Sequence, residues 1–307
     1  MKTFIYFILC CSLLFAQKKQ VCFSFDDLPV VSYGIADTVF QKELIDNLIS
    51  GIKKNAIPAI GFVNEKKLYN EEELNQFQIE LLKNWADHDL ELGNHTFSHP
   101  DYNSVSFNDY TQDILRGETI TRRILSSKGK IIKYFRHPFL HVGNTKEKAD
   151  SLEDFLFIHG YIAAPVTIDN EDYLFAVAYK RAKVKKDTLF IKQIGQDYIN
   201  YMEKKLKYYE MQSNRLFGRN IKQILLLHTS WLNSDYIDSL AVMFGRNNYK
   251  FITMAQALED DVYKTKITVY GTWGISWIDR WALSKGKNGD FFKDEPETPG
   301  YIKELSK

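Results

Sequence analysis

From Val21 onward, short apolar runs alternate with longer stretches whose apolar positions recur at helical spacing. The runs predict strands at Val21 to Phe25, Ile57 to Val63, Leu90 to Gly93, Ile131 to Phe135, Tyr161 to Ile168, Ile224 to Leu227 and Lys250 to Ile252. The intervening stretches predict helices at Val39 to Lys53, Glu71 to His88, Phe107 to Leu125, Thr145 to Gly160 and Tyr236 to Phe244. Strands that alternate with helices in this order belong to a parallel sheet, so the fold class is α/β. Six or seven such units predict a closed or nearly closed (β/α) barrel. In barrels of this kind functional side chains gather at the carboxyl ends of the strands.

Two segments depart from the alternation. A Lys/Tyr/Glu-rich stretch, about 173–223, predicts one or two amphipathic helices inserted as an oversized crossover within a barrel of 17–260. Beyond it, 261–307 form a Trp-rich extension expected to pack on the barrel. Trp273, Trp277 and Trp281 are spaced by four, which would let them share one buried helix face; a sugar-stacking platform is the other reading.

Composition narrows the function. The 307 residues carry 40 Lys+Arg against 39 Asp+Glu, so the basic footprint of a nucleic-acid-binding domain is absent. At the start of the chain, Lys2, the apolar run Phe4 to Phe15 and the small Ala16 read as a signal peptide over 1–16. That run is about twelve residues long, below the roughly twenty needed to span a bilayer, so a periplasmic or extracellular protein with no stable membrane span is expected. A lipid anchor on Cys10 or Cys11 is the lesser alternative, because the large Leu9 and the non-small Cys10 before them fit that processing poorly. Cleavage after Ala16 would leave Cys22 as the only cysteine, which excludes an intramolecular disulfide; its neighbours Val21, Phe23 and Phe25 make it a buried strand residue.

Chemistry-bearing residues recur at the strand ends. The first strand runs into Asp26-Asp27, where one carboxylate could hold a cation while the other accepts a proton. After the third strand comes His95-Thr96-Phe97-Ser98-His99, two imidazoles four apart, which with Asp27 make a His2Asp set suited to zinc. Such a set leaves coordination positions open, as catalytic sites do and four-ligand structural sites do not. Arg136 follows the fourth strand and could orient a neighbouring carboxylate, ahead of the proline-stiffened turn at Pro138 and Phe139. His228 ends the sixth strand as a candidate acid or base, and Asp169, ending the fifth, could hold its proton and orientation. Each residue alone could equally be a loop carboxylate, a surface cation or a core histidine; their joint occurrence at successive strand ends points to a site.

Taken together, these motifs resemble the polysaccharide deacetylases, the NodB-homology group of carbohydrate esterase family 4, over Val21 to about Leu258. The resemblance implies a distorted (β/α) barrel, a divalent ion, usually zinc, and an acetylated carbohydrate substrate. By this resemblance Asp26 is the catalytic base, Asp27, His95 and His99 are metal ligands, and Arg136 braces the base. Phe139 supplies an oxyanion-binding backbone N–H in a turn fixed by Pro138, Asp169 tunes the catalytic histidine, and His228 is the general acid. Leu226 would line the pocket for the acetyl methyl group. The chain departs from the family pattern at Leu28 and at Leu140-His141-Val142, where glycine is common, and at Tyr173, expected in the substrate groove where tryptophan is usual. The expected activity is metal-dependent removal of acetyl groups from N-acetylated sugars such as peptidoglycan or chitooligosaccharides. Hydrolysis of O-acetyl esters or small amides, and carbohydrate binding without catalysis, are the alternatives. His88, His137, His141 and His159 are expected outside the ligand set, with His137 and His141 close enough to Arg136 to touch substrate.

Overall fold

The computed structural model describes residues 18–307; the expected signal peptide, with Cys10 and Cys11, lies outside the described residues. The sheet is parallel throughout. Its strands are β1 (Lys19–Val31), β2 (Ile60–Val63), β3 (Glu91–Asn94), β4 (Tyr134–Phe135), β5 (Ile162–Ala163), β6 (Gln223–Ser230) and β7 (Tyr249–Phe251). They are ordered β5-β4-β3-β2-β1-β6, with β7 paired to the start of β1. The chain beyond β5 then reaches β6: Thr167 and Ile168 donate to the Ile224 carbonyl at 2.9 and 3.0 Å, and Ile168 bridges Leu225. The two ends of the sheet therefore meet through a single bridge, and the result is a distorted barrel.

Strand alternation sorts β1. Val21, Phe23 and Phe25 join the large core under the helices, while Cys22 packs with Ile60, Phe62, Tyr134, Ala164 and Ile224 in a separate cluster. Ser24 and Asp26 continue the Cys22 row, which leads to the carboxyl end of the strand. There β1 slips in register against both neighbours, between Phe25 and Leu28 towards β2 and between Asp26 and Val31 towards β6. Asp27 sits in this irregularity with φ of 64°. A bulge of this kind re-aims side chains, so two adjacent carboxylates can serve one site.

Several elements differ from their predicted extents. The Glu71 to His88 stretch opens with a short hairpin, and helix α1 (Gln76–Asp87) starts only after Asn75, whose side chain caps it. The Phe107 to Leu125 helix is two, α2 (Phe107–Arg116) and α3 (Thr119–Ser126), broken at Gly117. A Cβ on Gly117 would lie 2.3 Å from the Thr96 carbonyl carbon, so the break lets the chain pass directly beneath the His95 loop. The helix after β6 begins earlier than the apolar pattern suggests, as α6 (Trp231–Arg246), because Ser230 caps it immediately after the strand. Before it, the insertion folds as α4 (Asp172–Val184) and α5 (Thr188–Phe217), the latter closed by Gly218 at φ of 72°.

In the C-terminal extension the three tryptophans do not share one helix. Only Trp277 and Trp281 lie on α7 (Trp277–Ser284), where both are buried; Trp273 precedes it and is 40% exposed. Ser276 caps the helix and thereby sets its start after Trp273. No helix among the described residues is long and apolar enough to cross a membrane.

Candidate active site

Asp26 and His228 are register partners on adjacent strands β1 and β6, so their side chains leave the sheet side by side. On the other side of β1, the loop after β3 brings in two imidazoles. One oxygen of Asp27 and one ring nitrogen each of His95 and His99 all lie within 4.8 Å of one another. Asp27 Oδ1 is 4.0 Å from His95 Nε2 and 3.9 Å from His99 Nε2.

The groups around this triad prepare it for a cation. His95 Nδ1 lies 2.8 Å from the Arg136 carbonyl, to which it donates, so Nε2 keeps its lone pair on the Asp27 side. The peptide N–H of His99 donates to Thr96 Oγ1 at 3.0 Å, fixing a tight loop in which both residues have positive φ. Burial lowers the pKa of His95 and of His99 to about 4, which favours neutral, ligating imidazoles. Burial would raise the Asp27 carboxyl, but Lys67 and the two imidazoles outweigh it and hold the group below the usual range. Lys67 also donates to the Asp27 carbonyl at 2.6 Å. Two neutral imidazoles and an ionised carboxylate are the deprotonated donor set a divalent cation requires, so the residues fit a metal.

Asp26 faces the triad from the barrel interior. Its Oδ2 is 3.8 Å from His95 Nε2 and its Oδ1 3.8 Å from Arg136 Nε, while Oδ1 has no hydrogen-bond partner among the described residues. Burial raises its pKa and outweighs the opposing charge of Arg136. Arg136 is fully buried, lies over the Phe62 ring and donates to Ser24 Oγ at 2.8 Å. A carboxylate of raised pKa, with Oδ1 turned to a fixed cation and Oδ2 towards the triad, is placed to take up a proton through Oδ2.

His228 is held by Asp172, and Asp169 does not perform that role. Asp172 Oδ1 lies 2.7 Å from His228 Nδ1, and Oδ2 accepts the His228 backbone N–H at 2.9 Å and the Asn233 amide at 2.7 Å. Burial works against the charged imidazole, but Asp172 prevails and lifts the His228 pKa to about 9. Asp169 stops short because α4 begins at Asp172: its first turn carries that carboxylate under β6, whereas Asp169 remains in the preceding loop among the charges of Lys205, Glu295 and Arg280. There burial raises its pKa to about 6. Asp172, Asn233, Ser24 and Lys67 are the residues that strand-end reasoning misses. Asp172 carried a signal, as an acidic residue immediately before the expected insertion of about 173–223.

The remaining expected residues border the same space. Pro138 opens a short turn over Pro138–Leu140 in which Phe139 and Leu140 both have positive φ, 55° and 56°. The turn's hydrogen bonds use the N–H groups of Leu140 and His141, and that of Phe139 is in neither. The half-exposed Phe139 ring stands edge-on to His99 at 4.5 Å and tilted to His141 at 5.7 Å. Leu226 is buried two residues before His228, and the exposed Tyr173 ring meets His228 edge-on at 6.3 Å. His137 is buried between Phe135 and Trp277, while His141 pairs with Asp101. His88 and His159 contact carbonyls of their own helices.

Residues 16–153, close to half of the chain, match the family model described as polysaccharide deacetylase. A peptidoglycan-N-acetylglucosamine deacetylase from Bacillus cereus is 26% identical over 145 residues, covering 46% of this chain and 44% of that protein; the match thus spans less than half the length of the curated relative. Among solved structures, the chitin deacetylase of Colletotrichum lindemuthianum superposes with a TM-score of 0.51 at 20% identity, over 79% of this chain and 88% of that one. A variant of a CE4 family pseudoenzyme from Bacillus anthracis superposes with a TM-score of 0.50 at 15% identity, over 78% and 67%. The structural likeness shows the distorted barrel and carries no activity by itself.

Proposed function

With the polysaccharide deacetylase match over residues 16–153 as premise, we propose that the protein is an exported, metal-dependent deacetylase of N-acetylated sugars. The observation that carries this reading is the convergence of three elements at the carboxyl end of β1. They are the Asp27–His95–His99 triad, the buried Asp26 carboxylate beside it, and the Asp172-held His228 in register with Asp26.

A divalent ion such as zinc, held by Asp27, His95 and His99, would supply Lewis acidity that polarises an acetyl carbonyl and lowers the pKa of water. Asp26 takes the proton of the attacking water through Oδ2, the oxygen on the triad's side, with Arg136 beside Oδ1 holding the carboxylate in place. The Phe139 N–H, uncommitted within its turn, donates to the oxygen on which negative charge develops, a contribution of roughly 3 to 4 kcal/mol for one such donor. His228 delivers the proton that lets the amine depart. It stays protonated up to about pH 9 because Asp172 lies against Nδ1, which leaves Nε2–H as the donor. Leu226 offers an apolar wall for the acetyl methyl group, and the exposed Phe139 and Tyr173 rings give a sugar ring aromatic surfaces at the mouth. No ligand or proton-transfer residue of this scheme is replaced, which separates the chain from a binding-only reading.

Acetate release from N-acetylated chitooligosaccharides, peptidoglycan fragments and O-acetylated xylan tests the proposal. Release from the first two that a chelator stops and zinc restores is expected. Release from xylan alone would reassign the site to esters, and no release from a metal-loaded protein would overturn the reading.

A further inference from the structure

The turn that carries Phe139 is held from outside the family-like part of the chain. Phe139 and Leu140 are consecutive non-glycine residues at positive φ, a strained backbone conformation that persists only where surroundings impose it. The imposing contacts come from the C-terminal extension. Arg280, fully buried on α7, donates through Nη2 to the Leu140 carbonyl at 2.8 Å and to the Trp273 carbonyl at 2.7 Å. Next to Trp273, Gly274 lies so close to the turn that a Cβ on it would stand 2.1 Å from the Phe139 carbonyl oxygen. The extension is itself anchored to the barrel, by the Trp277 N–H on the Val166 carbonyl at 2.7 Å and by Ser276 Oγ on the Thr167 carbonyl at 2.9 Å.

We infer that Arg280 and Gly274 are positioning residues of the reaction, and that the C-terminal extension clamps the Pro138–Leu140 turn so that the Phe139 N–H is aimed at the reacting carbonyl. Arg280 holds one carbonyl of the turn, and Gly274 sets how near the extension's backbone comes to the preceding one. Neither residue is one of the Asp27, His95 and His99 donors or a hydrogen-bond partner of His228; their hydrogen bonds and closest approaches are to the turn, His141 and the extension itself. Their effect should therefore fall on the chemical step and leave binding of sugar and metal in place.

The inference rests on the proposed deacetylase reading for its kinetic arm only. Arg280→Met, Arg280→Lys and Gly274→Ala would be compared with the full protein by steady-state deacetylation, zinc titration and hydrogen–deuterium exchange of the segment containing 136–142. For Arg280→Met and Gly274→Ala the expected result is a fall in kcat of about 100-fold, the scale of a reacting group misplaced by about 1 Å, with KM and zinc affinity within about 3-fold. Lysine retains a donor for both carbonyls, so Arg280→Lys should recover most of the loss. Exchange across the turn should quicken in the first two variants and stay near the parent rate in the third. Gly274→Ala removes no buried charge, so it keeps the test open if Arg280→Met fails to fold. Unchanged exchange across the turn would overturn the clamp even if the protein proved not to be a deacetylase. Faster exchange with unchanged kcat would leave the turn clamped but contradict its role in the reaction, and a loss confined to KM would do the same.

Discussion

Oδ1 of Asp172 lies 2.7 Å from Nδ1 of His228, while the other oxygen of the same carboxylate accepts the His228 backbone N–H. One group thus fixes both the orientation and the charge of the proposed acid. Asp172→Asn keeps the shape and removes the charge that overcomes burial, so the His228 pKa should fall from about 9 towards the ordinary imidazole value of about 6.5. The acid works in its protonated form. The alkaline limb of the kcat–pH profile should therefore move to lower pH, with the largest loss of activity between the two pKa values. An unmoved limb would show that another group sets it.

Removing any one ligand of the triad should release the metal. Asp27→Ala, His95→Ala and His99→Ala should each weaken zinc binding by at least about 100-fold, read by competition with a chromophoric chelator. Far-UV circular dichroism should remain that of the parent. A variant that keeps stoichiometric zinc at parental affinity would remove its residue from the set.

Arg136 and Asp26 form a buried pair, and one partner without the other leaves an uncompensated charge. Arg136→Met should cost about 3 to 5 kcal/mol of unfolding free energy in urea near pH 7. Adding Asp26→Asn to it should recover much of that loss by removing the stranded carboxylate. A single substitution costing under about 1 kcal/mol would show that the pair is not coupled.

Export is tested by the first residue of the mature protein. Cleavage after Ala16 predicts a secreted or periplasmic form that begins at Gln17, read by mass spectrometry of the released chain. A protein that retains residues 1–16 in the cell would contradict it.

The barrel was legible because parallel strands buried on both faces read as short apolar runs, and the interposed helices supply a second, longer period. The triad was legible because Asp27, His95 and His99 belong to two short motifs at strand ends. What stayed hidden depends on where helices begin. The capping of α6 by Ser230 places Asn233 against Asp172, and the start of α4 brings Asp172 to His228 in preference to Asp169. Neither start follows from hydrophobic period, which blurs at element ends. The break at Gly117 and the clamp at Gly274 depend on close approach between segments distant in sequence, which no local pattern records.

The most direct test of the central claim compares the parent protein with His228→Ala on two acyl donors, an N-acetylglucosamine oligomer and an activated aryl acetate, in zinc-loaded form. An amine leaves poorly without a proton, whereas an activated phenolate needs none. The account predicts chelator-sensitive acetate release from the oligomer and a loss of about 100- to 10,000-fold there on removing His228, with a much smaller loss on the ester. Equal losses on both donors, or no release from the oligomer by the parent, would contradict it.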